Sequence, residues 1–472
     1  MTKKPGLCCI LLWLFCAVSA FAQSGFPRGA ILDEALYNSL PRKAAQVTRS
    51  YTAIPKAVSL KQYAPDPGDQ NPYGTCVAWS SAYAARTIVE SIALNRTDRF
   101  LTTVNVFSPV FVYKSVFVFR NLGVPTGYEG TAIPWALDVM KNEGAVKRLE
   151  IEKTADFPEI HLSAFVNQRR YRINDYVILY NSARGTPGGS ERTLAVKKSL
   201  AEGKPVIIGM NCPGSFDTAK DLWQPVESPA VNYGGHAMCV VGYDDDKYGG
   251  AFEIQNSWGQ SWGNRGYIWI PYQVFNQYAV EAYEIIEDLT NYQYNTEYSG
   301  SVQIEVYNSN EGMPVQFSDG YYRTTGSYTS GTRFRYLMGN NKPAYVYAFA
   351  SDSSSPETTR IFPMEGENVS PVLDYSENAV AFPGEHDWIE LDRQSGTDYL
   401  VVLYVKEALD IDAIRERFSQ AQGTFPDRVA RAVGDAYIPA RQANYENALM
   451  RFTARSVNPR AVFGLLLAID HR

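Results

Sequence analysis

Residues 69–91 read DQNPYGTCVAWSSAYAARTIVES, and this stretch decides the fold of the first half of the chain. A Pro72-Tyr73-Gly74 turn delivers Cys76 into a run of good helix formers, and Val77, Ser81, Ala84 and Ile88 recur at the spacing that buries one helix face. The pattern predicts a largely buried helix with Cys76 in its first turn. Unpaired N–H groups and the positive end of the helix dipole favour an anion there, so a thiolate is expected, with a pKa below the ~8.5 of an ordinary cysteine. A helix can also begin with a purely structural cysteine, and the rest of the sequence has to decide between the two.

A thiol nucleophile needs a base that later protonates the leaving group, and imidazole serves both steps. The chain has four histidines. His471 stands next to the C-terminus and His386 follows Gly384-Glu385 in a β-rich region, so either would have to reach across a domain boundary. His161 falls in a loop with Pro158. His236 stands in YGGHAMCVVGYDDD, residues 233–246, where Gly234 and Gly235 permit close backbone approach just before a buried strand. Elimination and context both select His236. Downstream, AFEIQNSWGQSWGNRGYIWI, residues 251–270, offers a strand ending at Asn256, then Ser257-Trp258-Gly259. A side-chain amide can fix an imidazole's orientation without neutralising its charge, and a neighbouring indole can keep water off that bond.

Cys76, then His-Ala with Gly-Tyr-Asp, then NSWG…WG…GY together resemble the papain-like cysteine peptidases, and Gln70 ahead of the cysteine matches as well. The resemblance implies that Cys76 attacks the scissile carbonyl, with His236 as its imidazolium partner and general acid. Asn256 would orient His236, Trp258 would shield that pair, and Gln70 with the Cys76 backbone N–H would form the oxyanion hole. It further implies an α+β fold, a papain-like two-lobed catalytic domain with a helical left lobe and a β-barrel-like right lobe. The substrate would be a protein or peptide, and no metal and no organic cofactor would be used. In GYEGTAIPWAL, residues 127–137, Gly130, Pro134 and Trp135 are similar in position to the family's glycine-bearing groove wall, and with Gly235 they are candidate substrate contacts. Tyr73, Thr75 and Val77 depart from the plant and lysosomal pattern, where the upstream position is a cysteine, so the usual first disulfide cannot form. This places the chain in a divergent bacterial secreted branch. The alternatives are a Cys-His aminopeptidase or cell-wall amidase, or a catalytically degenerate fold retained for binding.

The 472 residues amount to about three times a typical ~150-residue domain, and 45% hydrophobic with 20% charged residues is a globular composition. A net charge of −6 without a basic patch argues against nucleic acid as a partner. Lys3-Lys4, the apolar run Leu7 to Phe21 and the small-x-small site at Ala20-Phe21-Ala22 read as a secretory signal peptide cleaved near Ala22, which would make the mature chain extracytoplasmic, periplasmic or secreted. The run falls short of a membrane span, and the later run Val106 to Phe119 is broken by Pro109 and Lys114. Cys76, Cys212 and Cys239 then remain, an odd number. Cys212 and Cys239 read as buried apolar residues or as a mutual disulfide.

The organisation that follows is signal peptide 1–22, leader or surface strap 23–53, catalytic domain 54–288, linker 289–298 and β-rich C-terminal domain 299–472. In the last, Val302 to Tyr307, Ala344 to Phe349, Trp388 to Leu391 and Tyr399 to Val405 read as short strands of an antiparallel, sandwich-like domain. Helical spacing from Asp410 to Arg441 and an apolar run from Val462 to Ile469 predict terminal helices and one closing strand. AYVYAFASD, RIFPMEGE and IELDRQSGTDYLVVLYV resemble an uncharacterised module appended to bacterial secreted peptidases. Its expected role is either to cap the protease or to bind substrate or another protein.

Overall fold

Buried on every residue from His236 to Tyr243, GHAMCVVGYD can only be a strand covered on both faces, and it becomes the spine of the first unit. The computed structural model describes residues 25–44, 54–150, 170–181, 189–287, 296–309, 311–355, 357–374 and 378–472. The expected signal peptide, His161 and most of the expected linker lie outside the described residues.

The strands of the first unit are β1 (Ala57–Ser59), β2 (Asp175–Ile178), β3 (Val206–Asn211), β4 (Gly235–Asp244), β5 (Ala251–Gln255), β6 (Tyr267–Pro271) and β7 (Ala279–Ile286). They form one sheet in the order β2-β7-β3-β4-β5-β6, with β1 on β4, and every pairing is antiparallel. Against β3 and β4 lies the helix foreseen from residues 69–91, running through Cys76–Ala78, Trp79–Arg86 and Thr87–Ala93. Val77, Ser81, Ala84 and Ile88 are buried as the spacing requires. Its middle portion is wound as a π-helix. Helices Pro109–Phe119 and Ile133–Asn142 pack beside it and complete the helical lobe; the first is capped by Ser108, whose hydroxyl accepts from the Phe111 N–H.

The second unit contains β8 (Glu297–Val306), β9 (Val315–Ser318), β10 (Tyr321–Tyr328), β11 (Arg333–Asn340), β12 (Ala344–Asp352), β13 (Thr358–Phe362), β14 (Val372–Leu373), β15 (Asn378–Phe382), β16 (Ile389–Glu390), β17 (Gly396–Val405), β18 (Asn444–Tyr445), β19 (Arg451–Arg455) and β20 (Phe463–His471). One sheet runs β13-β12-β17-β20-β10-β9, with β14 on β12; the other runs β15-β11-β8-β19-β18, with β16 on β11. The two sheets enclose a shared apolar core. β17 and β20 are apolar on both faces because the outer face of their sheet is covered by helices Ile411–Gln420 and Phe425–Val433. The expected closing strand therefore sits at the centre of a sheet, pairing antiparallel with β17 and parallel with β10. The expected linker also ends early, since β8 begins at Glu297.

The described part of the leader, half-buried or exposed over most of its length, is anchored at buried points. Ala30, Tyr37 and Ala44 are buried, and the Tyr37 hydroxyl donates to the Tyr180 carbonyl inside the first unit. Cys212 and Cys239 are buried and unpaired, so the mutual disulfide is not formed. Among the described residues no helix is long and apolar enough to cross a membrane.

Candidate active site

Three chain segments bring the expected residues together. The turn before the helix is laced to the segment after β5: the Gln70 N–H donates to the Ser257 carbonyl at 2.8 Å, and the Gly259 N–H donates to the Gly68 carbonyl at 2.9 Å. Antiparallel pairing of β4 with β5 then sets His236, at the start of one strand, beside Asn256, at the end of the other. Cys76 and His236 are both fully buried, and the Ala237 N–H donates to the Cys76 Sγ at 3.5 Å.

Hydrogen bonding fixes the imidazole's tautomer. Asn256 Oδ1 accepts from the Ser257 backbone N–H at 2.8 Å, which identifies that atom as the amide oxygen. His236 Nε2 lies 2.8 Å from the same oxygen and must therefore be the protonated nitrogen. Nδ1 carries the lone pair and is buried with no hydrogen-bond partner among the described residues, so it can accept a proton. Trp258 stacks on the imidazole at 4.5 Å and 25°, covering the His236–Asn256 bond. Phe216 and Trp262 buttress the indole edge-on.

The groove is filled by the leader. Phe26 stacks on Trp258 at 4.7 Å, and the Pro27 carbonyl accepts from both Trp258 Nε1 and Gln70 Nε2, each at 3.2 Å. Gln70 Nε2 also donates to the Tyr73 carbonyl at 2.8 Å, and its oxygen accepts from the Ser257 hydroxyl at 2.6 Å. The Gly29 N–H points at the Cys76 sulfur. Beyond it, the Ala30 N–H donates to the Gly235 carbonyl, the Thr131 N–H to the Gly29 carbonyl and the Ile31 N–H to the Thr131 carbonyl. Three glycines make this approach possible. A Cβ on Gly29 would stand 1.8 Å from the Gly74 carbonyl oxygen, one on Gly235 2.1 Å from the Ala30 oxygen, and one on Gly130 3.0 Å from the Gly29 oxygen.

Burial of the site works against the expected ionisation. Burial pushes the Cys76 thiol up to about 11, although the surrounding N–H groups of Ala237, Gly29 and Val77 oppose it. Burial likewise brings His236 down to about 3; the Asn256 hydrogen bond opposes this, while the guanidinium of leader residue Arg28 adds to it. Both shifts run against the expected low-pKa thiolate and favour a neutral thiol beside a neutral imidazole. Arg28 is itself held by Asp217 at 2.6 Å.

Gln70, Cys76, Gly130, Gly235, His236, Asn256 and Trp258 all lie at this groove. Its wall, however, hydrogen-bonds through Thr131, while Pro134 and Trp135 open the following helix and Arg120 lies over the Trp135 ring at 4.6 Å. His386 is exposed in the second unit. His471 lies between Ser330, at 3.1 Å, and Asp398, at 3.0 Å, in the second unit, where the N–H groups of Ser330, Gly331 and Thr332 are all donated to backbone carbonyls. Sequence reasoning missed Thr131, Ser257 and the leader residues Phe26 to Ile31. Ser257 sits inside the NSWG motif, while Thr131, Pro27 and Gly29 to Ile31 act through backbone atoms and carry no sequence signal.

Residues 122–287, within the first unit, match the papain family cysteine protease, and that unit is of α+β architecture. The match takes in His236 and Asn256 and begins after Cys76. An uncharacterised peptidase C1-like protein of Acanthamoeba polyphaga mimivirus is 31% identical over 106 residues, 21% of this chain and 33% of that protein. Cathepsin K of Mus musculus is 28% identical over 227 residues, 45% of this chain and 59% of its own length. The chain thus spans between a third and three fifths of these curated relatives. Among solved structures, xylellain, a cysteine protease from Xylella fastidiosa, is 21% identical with a TM-score of 0.43, covering 56% of this chain and 96% of that one.

Proposed function

We propose that the chain is a latent, extracytoplasmic cysteine endopeptidase that cleaves peptide bonds through an acyl-thiol intermediate. The observation that carries this reading is the convergence of the Cys76 sulfur, the lone pair of His236 Nδ1 and the Gln70 amide at one groove already holding a length of polypeptide. With the groove free of the leader, the Cys76 proton passes to His236 Nδ1 and the sulfur bonds to the scissile carbonyl carbon. The developing oxyanion is received by Gln70 Nε2 and the Cys76 N–H. The imidazolium then protonates the departing amine as the C–N bond breaks, leaving a thioester. His236 next removes a proton from water, whose oxygen displaces the sulfur and releases the acid. Residues 1–22, read as a signal peptide, supply the address.

The test is digestion of casein and of purified cell wall by leader-displaced protein. New internal termini in casein, with the cell wall untouched, are expected. Peptide release from the wall alone would make the enzyme an amidase, and no product from either would leave a binding fold.

Asn256→Ala is expected to lower kcat by about 10- to 100-fold with little change in KM. That is the size of one hydrogen bond to a charged group, here the imidazolium. Steady-state kinetics on a peptide amide check it.

A further inference from the structure

The leader is held at its far end by both units at once. Arg42 lies between the end of edge strand β2 and the segment 368–370 of the second unit, forming a parallel bridge to Ile178 on one side and to Val369 on the other. On the protease side, the Lys43 N–H donates to the Ile178 carbonyl at 2.9 Å and the Ile178 N–H to the Pro41 carbonyl at 3.1 Å. Toward the second unit, the Arg42 N–H donates to the Asn368 carbonyl and the Ser370 N–H to the Arg42 carbonyl, both at 2.8 Å. The Asn368 side-chain amide reaches the Ser39 carbonyl at 2.6 Å. The next residue, Ala44, is packed in the sandwich core.

Charges close the same junction. Lys43 Nζ lies 2.7 Å from Glu284 of β7 and 3.7 Å from Asp374 of the second unit. Lys204, on the protease side, pairs with Asp374 and lies 3.3 Å from Glu284. Two cations and two carboxylates, drawn from leader, protease and second unit, thus neutralise one another out of water, with Glu202 beside them. Buried ions tolerate the loss of a partner poorly, so each component depends on the others being in place.

We propose that the second unit is the clasp of the leader: the surface formed by segment 368–370 and Asp374 binds residues 39–44 and thereby keeps residues 26–31 seated over Cys76. The leader bridges the two sites as a single ordered segment, with helix Glu34–Asn38 and buried Tyr37 between them, so loosening one end raises the rate at which the other leaves the groove. The C-terminal domain is therefore a regulator of access to the nucleophile, acting through the leader.

The inference rests on where the leader lies, and its test is independent of the chemistry. In the full chain carrying Cys76→Ala, amide hydrogen exchange is followed at residues 26–32 with and without Asp374→Asn. Exchange at least tenfold faster at the Ala30 and Ile31 amides, with β3, β4, β17 and β20 still protected, is the expected result. Unchanged exchange at 26–32 while 39–44 loses protection would overturn the proposal. If Asp374→Asn also unprotects β17 and β20, Asn368→Ala decides on the same readout. That variant removes one exposed amide and its bond to Ser39, and two- to threefold faster exchange at 26–32 supports the clasp while parental exchange overturns it. Because this chain has no nucleophile, failure of the peptidase reading would show only in the digestion experiment.

Discussion

In leader-displaced protein, Cys76→Ala is expected to lower kcat for peptide hydrolysis by about 10⁴-fold or more, to the level of hydrolysis without a nucleophile. His236→Ala should fall about as far, because the thiol and the base form one unit: without Nδ1 the Cys76 proton has no acceptor. The double variant should then be no worse than either single one. That non-additivity separates a working pair from two residues that merely stabilise the site, whose losses would accumulate. Stability should hardly register the cysteine change, since the bond the Cys76 sulfur receives from the Ala237 N–H is long, at 3.5 Å, and its loss is a small volume change. A melting temperature within a few degrees of the parent is expected on the scale of about 1 kcal/mol. Kinetics on all three variants and thermal melts check the set. More than about 1% of parental activity in Cys76→Ala would remove the cysteine from the mechanism.

The make-up of the candidate site was legible because each proposed role demands a residue type with few substitutes and a local context that announces it. A cysteine after a Pro-Tyr-Gly turn, a histidine after two glycines and an asparagine ahead of Ser-Trp-Gly each describe an element boundary as well as a functional group. The helix was legible for the same local reason, its buried face being written at helical spacing. The ionisation state was not legible. A helix N-terminus argues for a thiolate from neighbours in sequence, whereas the Cys76 and His236 values are dominated by burial, which depends on segments far apart in the chain. Nor could the leader's path be read. Its contacts with Thr131 and Gly235 run through backbone atoms, and what admits it to the groove is side chains that are missing, at Gly29, Gly130 and Gly235. In the second unit the short apolar runs marked strands correctly. The parallel pairing of β10 with β20 and the pairing of β8 with β19 join residues too distant in sequence for local pattern to reveal.

Gly29→Ala is expected to unseat the leader and raise the alkylation rate of Cys76 by roughly 10²- to 10⁴-fold at pH 7. The added methyl would lie 1.8 Å from the Gly74 carbonyl oxygen and 2.4 Å from its carbon, so one backbone has to move. Gly74 is the better anchored: its N–H donates to the Gly127 carbonyl, and the turn before it is closed by the Tyr73 N–H on the Gln70 carbonyl. The leader therefore gives way. In the covered state a thiol at about 11 is ionised in only about one molecule in 10⁴ at neutral pH, and an imidazole at about 3 offers no positive charge to stabilise it. Uncovering removes the burial from both groups and takes Arg28, a cation that disfavours the imidazolium, away with the leader. Even an ordinary cysteine would then be a few per cent ionised, and an ion pair with His236 nearly fully so. The sign shows in the pH dependence. A raised thiol pKa means that the intact chain's alkylation rate climbs through pH 10, whereas Gly29→Ala should level off near neutrality. Ile31→Ala is the control, because its side chain is 41% exposed and its N–H bond to Thr131 is kept, and it should track the parent. Iodoacetamide labelling followed by mass at the Cys76 peptide distinguishes this thiol from buried Cys212 and Cys239. Coincident pH–rate profiles for the parent and Gly29→Ala would mean that the leader is not what holds the pair neutral.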